Sequence, residues 1–385
     1  MRPNVLKRIL FKIANSDILK LVPILVLAFY IAFIPHLQYP YPLHVDEWLH
    51  MAYSKAMLQT GSMTFYEPFY QASTSYNQLG FHLFWGVFQE ISEISWMTIF
   101  RFFPSIIFII TTLSVYIFAN RMGFGLYAAL IVSLIPTTVG ILGPAFLVPL
   151  ALGMPFIPLS LFIAFNFKTL WSYLVLFLIV YFMLFVHLPS TVCLLIVLVP
   201  YILLNFKGNF RHSLGIILIL GIFVVVSLPW ILAFLPANMS FFNQGISEDF
   251  VTIPRLLQIF GYLPISLCLL GTLILGIKGG KQNYGLILGL LAILLMLVMF
   301  FQFHIGQPTV YQRGLHYMMM MASIVAGAGL MWVYNFRLPG KLLARIKIPP
   351  IAKNVGMVFG LVLIVLLLVN GIHNRQAERE TQHGR

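Results

Sequence analysis

Charge is what this sequence has least of. Of its 385 residues only 10 are Asp or Glu and 23 are Lys or Arg, so 9% are charged. A water-soluble domain would be about a quarter charged. With 60% of positions hydrophobic and a mean hydropathy of +0.95, this excludes a water-soluble enzyme and a disordered chain. Cysteine is scarcer still. Two residues, Cys193 and Cys268, exclude a disulfide framework and a Cys-based zinc site, and both stand in apolar runs as small buried hydrophobes do. There is no HExxH and no Gly-x-Ser-x-Gly pattern, which argues against an intramembrane protease. There is also no internal repeat of the kind that secondary transporters show.

What is present in quantity is long apolar sequence. A hydrocarbon core about 30 Å thick needs about 20 apolar residues per helix. Such runs lie near 18–36, 97–119, 124–142, 145–166, 170–187, 190–206, 213–235, 256–277, 284–303, 315–335 and 354–372. The stretch 81–91 is apolar but short and ends in acids, which suits an interfacial or re-entrant helix better than a span. The expected fold is an all-α polytopic, multi-pass membrane protein of about 11 spans. Residues 1–385 form one integral membrane domain, with a long first outer loop at 37–96 and a short outer tail at 373–385.

The net charge of +13 and pI near 9.8 would suggest a nucleic-acid partner if the bases were clustered on a soluble surface. With eleven spans and a cytoplasmic amino terminus, 16 of the 23 bases instead fall on inner segments, as the positive-inside rule requires. Counting 81–91 as a span would move every base from Arg121 to Lys353 outside. The basic balance is therefore an orientation signal, with membrane lipids as its partners and no nucleic acid. The carboxyl terminus is placed outside. The opening segment reads as a retained first span, because Pro35-His36-Leu37 follows it rather than a small-x-small cleavage site.

The acids go the other way. Nine of ten lie on the outer side, Asp17 being the exception, and nine of ten histidines lie there or at the outer membrane edge, His212 being the exception. Chemistry that uses carboxylates and imidazoles is expected on the outer face. The first outer loop is densest, running from Tyr39-Pro40-Tyr41-Pro42 through His44-Val45-Asp46-Glu47-Trp48-Leu49-His50 to Thr60-Gly61. The prolines keep the chain extended, Asp46 is expected to cap a helix over 46–60, and Gly61 to end it. Helical spacing puts Asp46, His50, Tyr53 and Met57 on one face, with Trp48, Met51, Ala52 and Lys55 on the other. A carboxylate and an imidazole one turn apart can share a proton or a divalent metal.

This loop resembles that of the GT-C superfamily of membrane glycosyltransferases. Segment 44–61, with its adjacent Asp46-Glu47 and closing Thr60-Gly61, is similar to the first-loop pattern of protein O-mannosyltransferases and aminoarabinose lipid A transferases. It is equally similar to archaeal relatives of the oligosaccharyltransferase catalytic subunit. The likeness continues through Phe81-His82-Leu83, Arg101-Phe102-Phe103-Pro104 and Asn120-Arg121-Met122-Gly123. It returns at Gln307-Pro308-Thr309-Val310-Tyr311-Gln312-Arg313-Gly314, which resembles the family's late outer-loop arginine. Coverage is good over the first 125 residues and thin afterwards. Two features depart from the oligosaccharyltransferases: the turn from Gly140 to Ala145 has no acid, and no WWDYG-type motif occurs. These departures point away from transfer to an asparagine sequon.

The resemblance implies transfer of a sugar, hexosyl or pentosyl, from a polyprenyl-phosphate carrier to a protein, lipid or glycan acceptor on the outer face. Such a reaction needs a carboxylate to activate the acceptor hydroxyl and positive charge on the departing phosphate. Asp46, Glu47 and His50 are the catalytic candidates, Asp46 being the expected base. Glu47 points about 100° away around the helix and is expected to hold an Arg or the loop. Substrate-binding candidates are Arg313 and Arg255 for phosphate, with Lys55, His44, His82 and Tyr53 beside them. No metal ligand set is assigned and no cofactor is required, although a divalent ion such as Mg or Mn is compatible with the superfamily. The alternatives are a polytopic transporter or lipid flippase, and a non-catalytic GT-C-like protein.

Overall fold

The computed structural model describes residues 17–37, 39–62, 64–67, 72–75, 78–137, 143–237, 259–303, 305–306, 308–337 and 355–383. Among these, seven helices are long and apolar enough to cross a membrane, and three shorter apolar helices accompany them at Leu170–Val186, Tyr262–Lys278 and Val355–Gly371. The protein is an all-α polytopic membrane protein. In chain order the elements are α1 (Asp17–Phe33), α2 (Val45–Thr60), β1 (Thr64–Glu67), β2 (Ala72–Ser75), α3 (Leu79–Ser92), α4 (Trp96–Asn120), α5 (Gly125–Val132), α6 (Pro149–Gly153) and α7 (Phe156–Asn166). They continue with α8 (Leu170–Val186), α9 (Leu188–Phe206), α10 (Phe210–Ala237), α11 (Tyr262–Lys278), α12 (Lys281–Phe303), α13 (Pro308–Asn335) and α14 (Val355–His383).

The expected run 124–142 is where the structure departs from the sequence reading. Among its described residues it is helical only over α5, eight residues, and the described chain beyond Val132 is largely irregular until α6. Irregular backbone inside a membrane protein is tolerated only where protein surrounds and satisfies it. Here Ser133, Ile135, Thr137, Ala145, Leu147 and Val148 are all buried. Three side chains bond to its backbone. Thr137 Oγ1 accepts from Ala145 N at 3.3 Å, His36 Nε2 donates to the Ala145 carbonyl at 3.1 Å, and Glu47 Oε1 accepts from Leu147 N at 2.7 Å. Residues 373–383 continue α14 as helix, because nothing in that sequence breaks it.

α13 is the central helix and packs on α5, α9, α11, α12 and α14. Its small residues permit this. A Cβ at Gly329 would come within 2.2 Å of the Leu267 carbonyl, and one at Gly271 within 2.0 Å of the Val325 carbonyl. Close crossing of small-residue faces replaces the hydrophobic drive that lipid cannot supply. Met319, Met320 and Met321 are fully buried as packing in the main core, together with Cys193.

A second apolar cluster fastens the first loop to the spans. Met51 of α2, Phe81 and Trp85 of α3, Ile99, Phe100 and Ile107 of α4, Leu147 and Val186 bury one another. Trp85 meets Phe88 and Phe103 edge-on at 5.6 and 5.1 Å between ring centroids. Edge-to-face pairs of this kind fix orientation as well as burying area. α3 therefore lies against the bundle, too short to cross it, as its length implied. β1 and β2 form an antiparallel pair with Thr64 opposite Ser75.

Candidate functional site

The site begins at the first turn of α2. The sequence reading gave the cap to Asp46, but His44 is the N-cap. Its backbone is extended (φ −131°, ψ 150°), and its Nδ1 accepts from Asp46 N at 3.2 Å. That extended backbone directly before Val45 makes His44, not Asp46, the residue in cap geometry. Asp46 thereby occupies the second helical position and its carboxylate is released from capping. It is a third exposed, with Oδ2 3.7 Å from His44 Nδ1. Gly61 ends the helix in the left-handed region (φ +60°), as expected.

Glu47 is placed quite differently. It is fully buried, and both carboxylate oxygens are occupied by backbone. Oε2 accepts from Leu43 N at 2.7 Å and His44 N at 3.2 Å, while Oε1 accepts from Leu147 N. The side chain closes a capping box and latches α2 to the irregular 143–148 segment. Burial pushes its carboxyl up to about 8, against the pull of the three N–H donors. With both oxygens committed, Glu47 has the geometry of a latch and offers no free oxygen to an acceptor. The buried stripe of α2 is Glu47, Met51, Ser54 and Met57. Met51 therefore faces the core, not the side of Trp48 and Ala52 where helical spacing had grouped it, because the pull of the α3–α4 cluster sets the rotation.

His50 and His82 meet across α2 and α3, Nδ1 to Nε2 at 3.2 Å, and the Tyr53 ring stands 5.6 Å from that of His82. Burial, reinforced by His82 and the Arg313 charge, holds His50 well below the usual imidazole range, and burial brings His82 down to about 3. Both are neutral at pH 7, so the pair shares a proton as donor and acceptor without carrying charge.

Arg313, in the first turns of α13, is the charge around which these groups gather. Its guanidinium acts electrostatically on His50, His187, His316 and Tyr317, and it feels the carboxylate of Asp46. Arg313 and Asp46 nevertheless form no ion pair, which places them more than 4.0 Å apart. No hydrogen bond holds the guanidinium either among the described residues. A partly exposed arginine at the end of a membrane bundle, with no carboxylate bound to it among the described residues, has the chemistry to attract an anionic group.

Sequence reasoning missed the third wall of this site. At the α8–α9 junction His187 Nδ1 bonds Ser190 Oγ, which bonds Tyr317 OH in turn, and Tyr317 OH donates to the Leu150 carbonyl at 3.5 Å. His316 Nε2 contacts Met154 Sδ at 2.9 Å. The available signal was polar residues interrupting apolar runs, His187-Leu188-Pro189-Ser190 and His316-Tyr317, since ionisable groups inside membrane helices mark function by default.

Lys55 is not brought to this group. Nine residues from Asp46, it stands half a turn around α2 and about 13 Å along it, at about 1.5 Å per residue. Arg255 lies outside the described residues. Arg101, another outer base, donates to the His36 carbonyl at 3.3 Å and lies over the Phe33 and Phe102 rings. A divalent ion finds no ready cage among the described residues. No three His, Cys, Asp or Glu side chains group around a common point, and Glu47's oxygens are spent on backbone N–H groups.

No protein-family model and no curated protein matches this chain. Solved structures do. The oligosaccharyltransferase of Archaeoglobus fulgidus, tethered through a disulfide to an acceptor peptide with the NVT sequon, superposes with a TM-score of 0.58 at 11% identity, over 94% of this chain and 55% of that one. Archaeal oligosaccharyltransferase AglB from the same organism, with an inhibitory peptide and a dolichol-phosphate, gives 0.59 at 12% identity, over 94% and 55%. A complex of the A. fulgidus enzyme with Zn and sulfate gives 0.58 at 12%, over 92% and 52%. The fold is thus the one the first-loop resemblance implied. This chain spans about half the length of those structures.

Proposed function

We propose that the protein is a membrane glycosyltransferase that takes a sugar from a polyprenyl-phosphate carrier and passes it to a hydroxyl-bearing acceptor. The observation that carries this reading is the Asp46–Arg313 pair, electrostatically coupled yet out of contact, at one end of a bundle with an oligosaccharyltransferase-like fold. In this reading Asp46 takes the acceptor proton as the hydroxyl oxygen attacks the sugar carbon, and the bond from that carbon to the phosphate oxygen breaks. Arg313 stabilises the negative charge that appears on the leaving polyprenyl phosphate. His50 and His82, neutral and hydrogen-bonded, orient polar groups without competing for the phosphate. Glu47 acts as a positioning residue, setting where Asp46 stands through the capping box and the Leu147 bond.

An apolar groove of about 450 Å³ between α3 and α8, walled by Leu83, Phe84, Phe182 and Phe185, offers room for part of a prenyl chain. It ends two residues before His187. In the fold's relatives one structure holds a dolichol-phosphate, which supports a lipid-linked donor of that class. The side of the membrane on which transfer occurs is, by the distribution of bases, the non-cytoplasmic one.

The test is reconstitution in liposomes with a radiolabelled polyprenyl-phosphate sugar and a panel of protein, lipid and glycan acceptors. The reading expects label on an acceptor with release of free polyprenyl phosphate. Movement of intact donor across the bilayer with no transfer would establish the flippase alternative instead.

A further inference from the structure

The opposite end of the bundle carries a feature that the proposed chemistry does not use. There the chain turns at Lys168, at Asn209, and between α11 and α12, and these turns surround a cavity of about 440 Å³. Arg121, Lys168, Lys278 and Lys281 all line it, and no acidic residue does. The turn before α12 is built to aim two of these cations inward. Gly279 and Gly280 both take left-handed backbone (φ +67° and +96°), so Lys278 closes one helix and Lys281 opens the next on the same side. The Lys281 ammonium lies over Gly208, where any Cβ would come within 2.1 Å of Nζ. Gln282 Nε2 donates to the Phe165 carbonyl at 2.9 Å and fixes α12 against α7. Beneath the charges, Phe165 and Tyr201 stack at 4.0 Å and make a firm floor.

None of the four cations has a carboxylate partner among the described residues, where the one Lys or Arg ion pair is Lys20 with Asp17. Simple snorkelling would spread bases around the rim, each facing lipid separately. Four like charges facing one walled space repel one another until an anion enters it. We infer that this cavity is a binding site for a phosphate-bearing anion, separate from the Asp46–Arg313 site and at the other face of the membrane. Its volume lies within the range of about 300–1,000 Å³ usual for ligand sites. Basic pockets between membrane helices are a recognised means of holding anionic headgroups. The exposed Ile277 and Phe167 beside Lys278 and Lys168 would carry acyl chains if the phosphate belongs to a lipid. A soluble phosphate compound would use the same cations without them.

The experiment uses the full chain in phosphatidylcholine nanodiscs with two probes, a fluorescent phosphatidylglycerol and labelled inorganic pyrophosphate. Saturable binding of the first identifies a lipid headgroup, and of the second a soluble anion. In either case Lys168→Gln with Lys278→Gln should weaken binding about 30-fold, at about fivefold per cation. Arg337→Gln, a base of the same end outside the cavity, should change it by less than about twofold. If the double variant does not elute as a monodisperse protein, Lys168→Gln alone, at an exposed turn, should still cost about fivefold. Equal binding by wild type and variant, or saturable binding of neither probe, would overturn the inference.

Discussion

The two ends of this bundle handle charge in opposite ways. Around Arg313 the polar groups are few, largely enclosed and bonded to one another: His50 to His82, His187 to Ser190 to Tyr317, and Glu47 to three backbone amides. Around Lys168 and Lys278 they are exposed cations with no acid beside them. The comparison separates two meanings of a basic residue in a membrane protein. At the Lys168 end the charges also serve orientation, and four of them share one cavity. At the Arg313 end one guanidinium is held among neutral imidazoles, and its surroundings decide what it does.

Perturbing each end should therefore give effects of different size. The largest is expected for Asp46→Asn, which keeps the shape but removes proton affinity. Sugar transfer in liposomes should fall by about 10²–10⁴-fold with donor binding little changed. Because His44 is the cap, helix stability should be nearly unaffected, and a loss of folding would return Asp46 to a structural role. Next comes Glu47→Ala. It leaves three N–H groups without their acceptor, two of them in the capping turn, and should cost about 3 kcal/mol or more in unfolding by denaturing detergent. Unchanged stability would remove the latch from the account. At the other end, replacing Arg337 should alter neither quantity measurably, since exposed bases contribute little individually.

A separate effect lies in pH dependence, and its sign separates the two kinds of buried group. Glu47, raised from 4.5 to about 8, binds its proton more tightly folded than unfolded. Its contribution is complete below about 4.5 and is lost as pH rises through 8. His82, lowered from 6.5 to about 3, contributes above 6.5 and loses that contribution as pH falls towards 3. Each slope is at most about 1.4 kcal/mol per pH unit. Stability profiles in detergent should show the alkaline loss diminished in Glu47→Gln and the acid loss diminished in His82→Gln. Parallel profiles for wild type and both variants would contradict the burial of these groups.

Much of this arrangement was legible from residue order. Apolar runs gave ten helices in their places because a span of lipid dictates length and composition together. The short length of 81–91 marked α3 as a helix that does not cross. The α5 break was less legible, since 124–142 is largely apolar and two of the side chains that hold the irregular backbone, His36 and Glu47, come from 109 and 100 residues away. The expectation that Glu47 holds the loop fits its bonds to Leu43 and His44, but long-range bonding hid its third partner, Leu147, 100 residues away. His44 took the cap from Asp46 through a backbone angle that composition does not encode. His187, Ser190 and Tyr317 escaped notice because each looks like an isolated polar residue until the helices meet.

The central claim is that Arg313 holds a phosphate while Asp46 does the proton chemistry beside it. Equilibrium binding of a photoreactive polyprenyl phosphate to wild type, Asp46→Asn and Arg313→Gln tests this without any need to know the sugar or the acceptor. A charge-assisted phosphate contact contributes about 1.5–3 kcal/mol. The account predicts that wild type and Asp46→Asn bind alike while Arg313→Gln binds at least about tenfold more weakly. Equal affinity in all three proteins would contradict it.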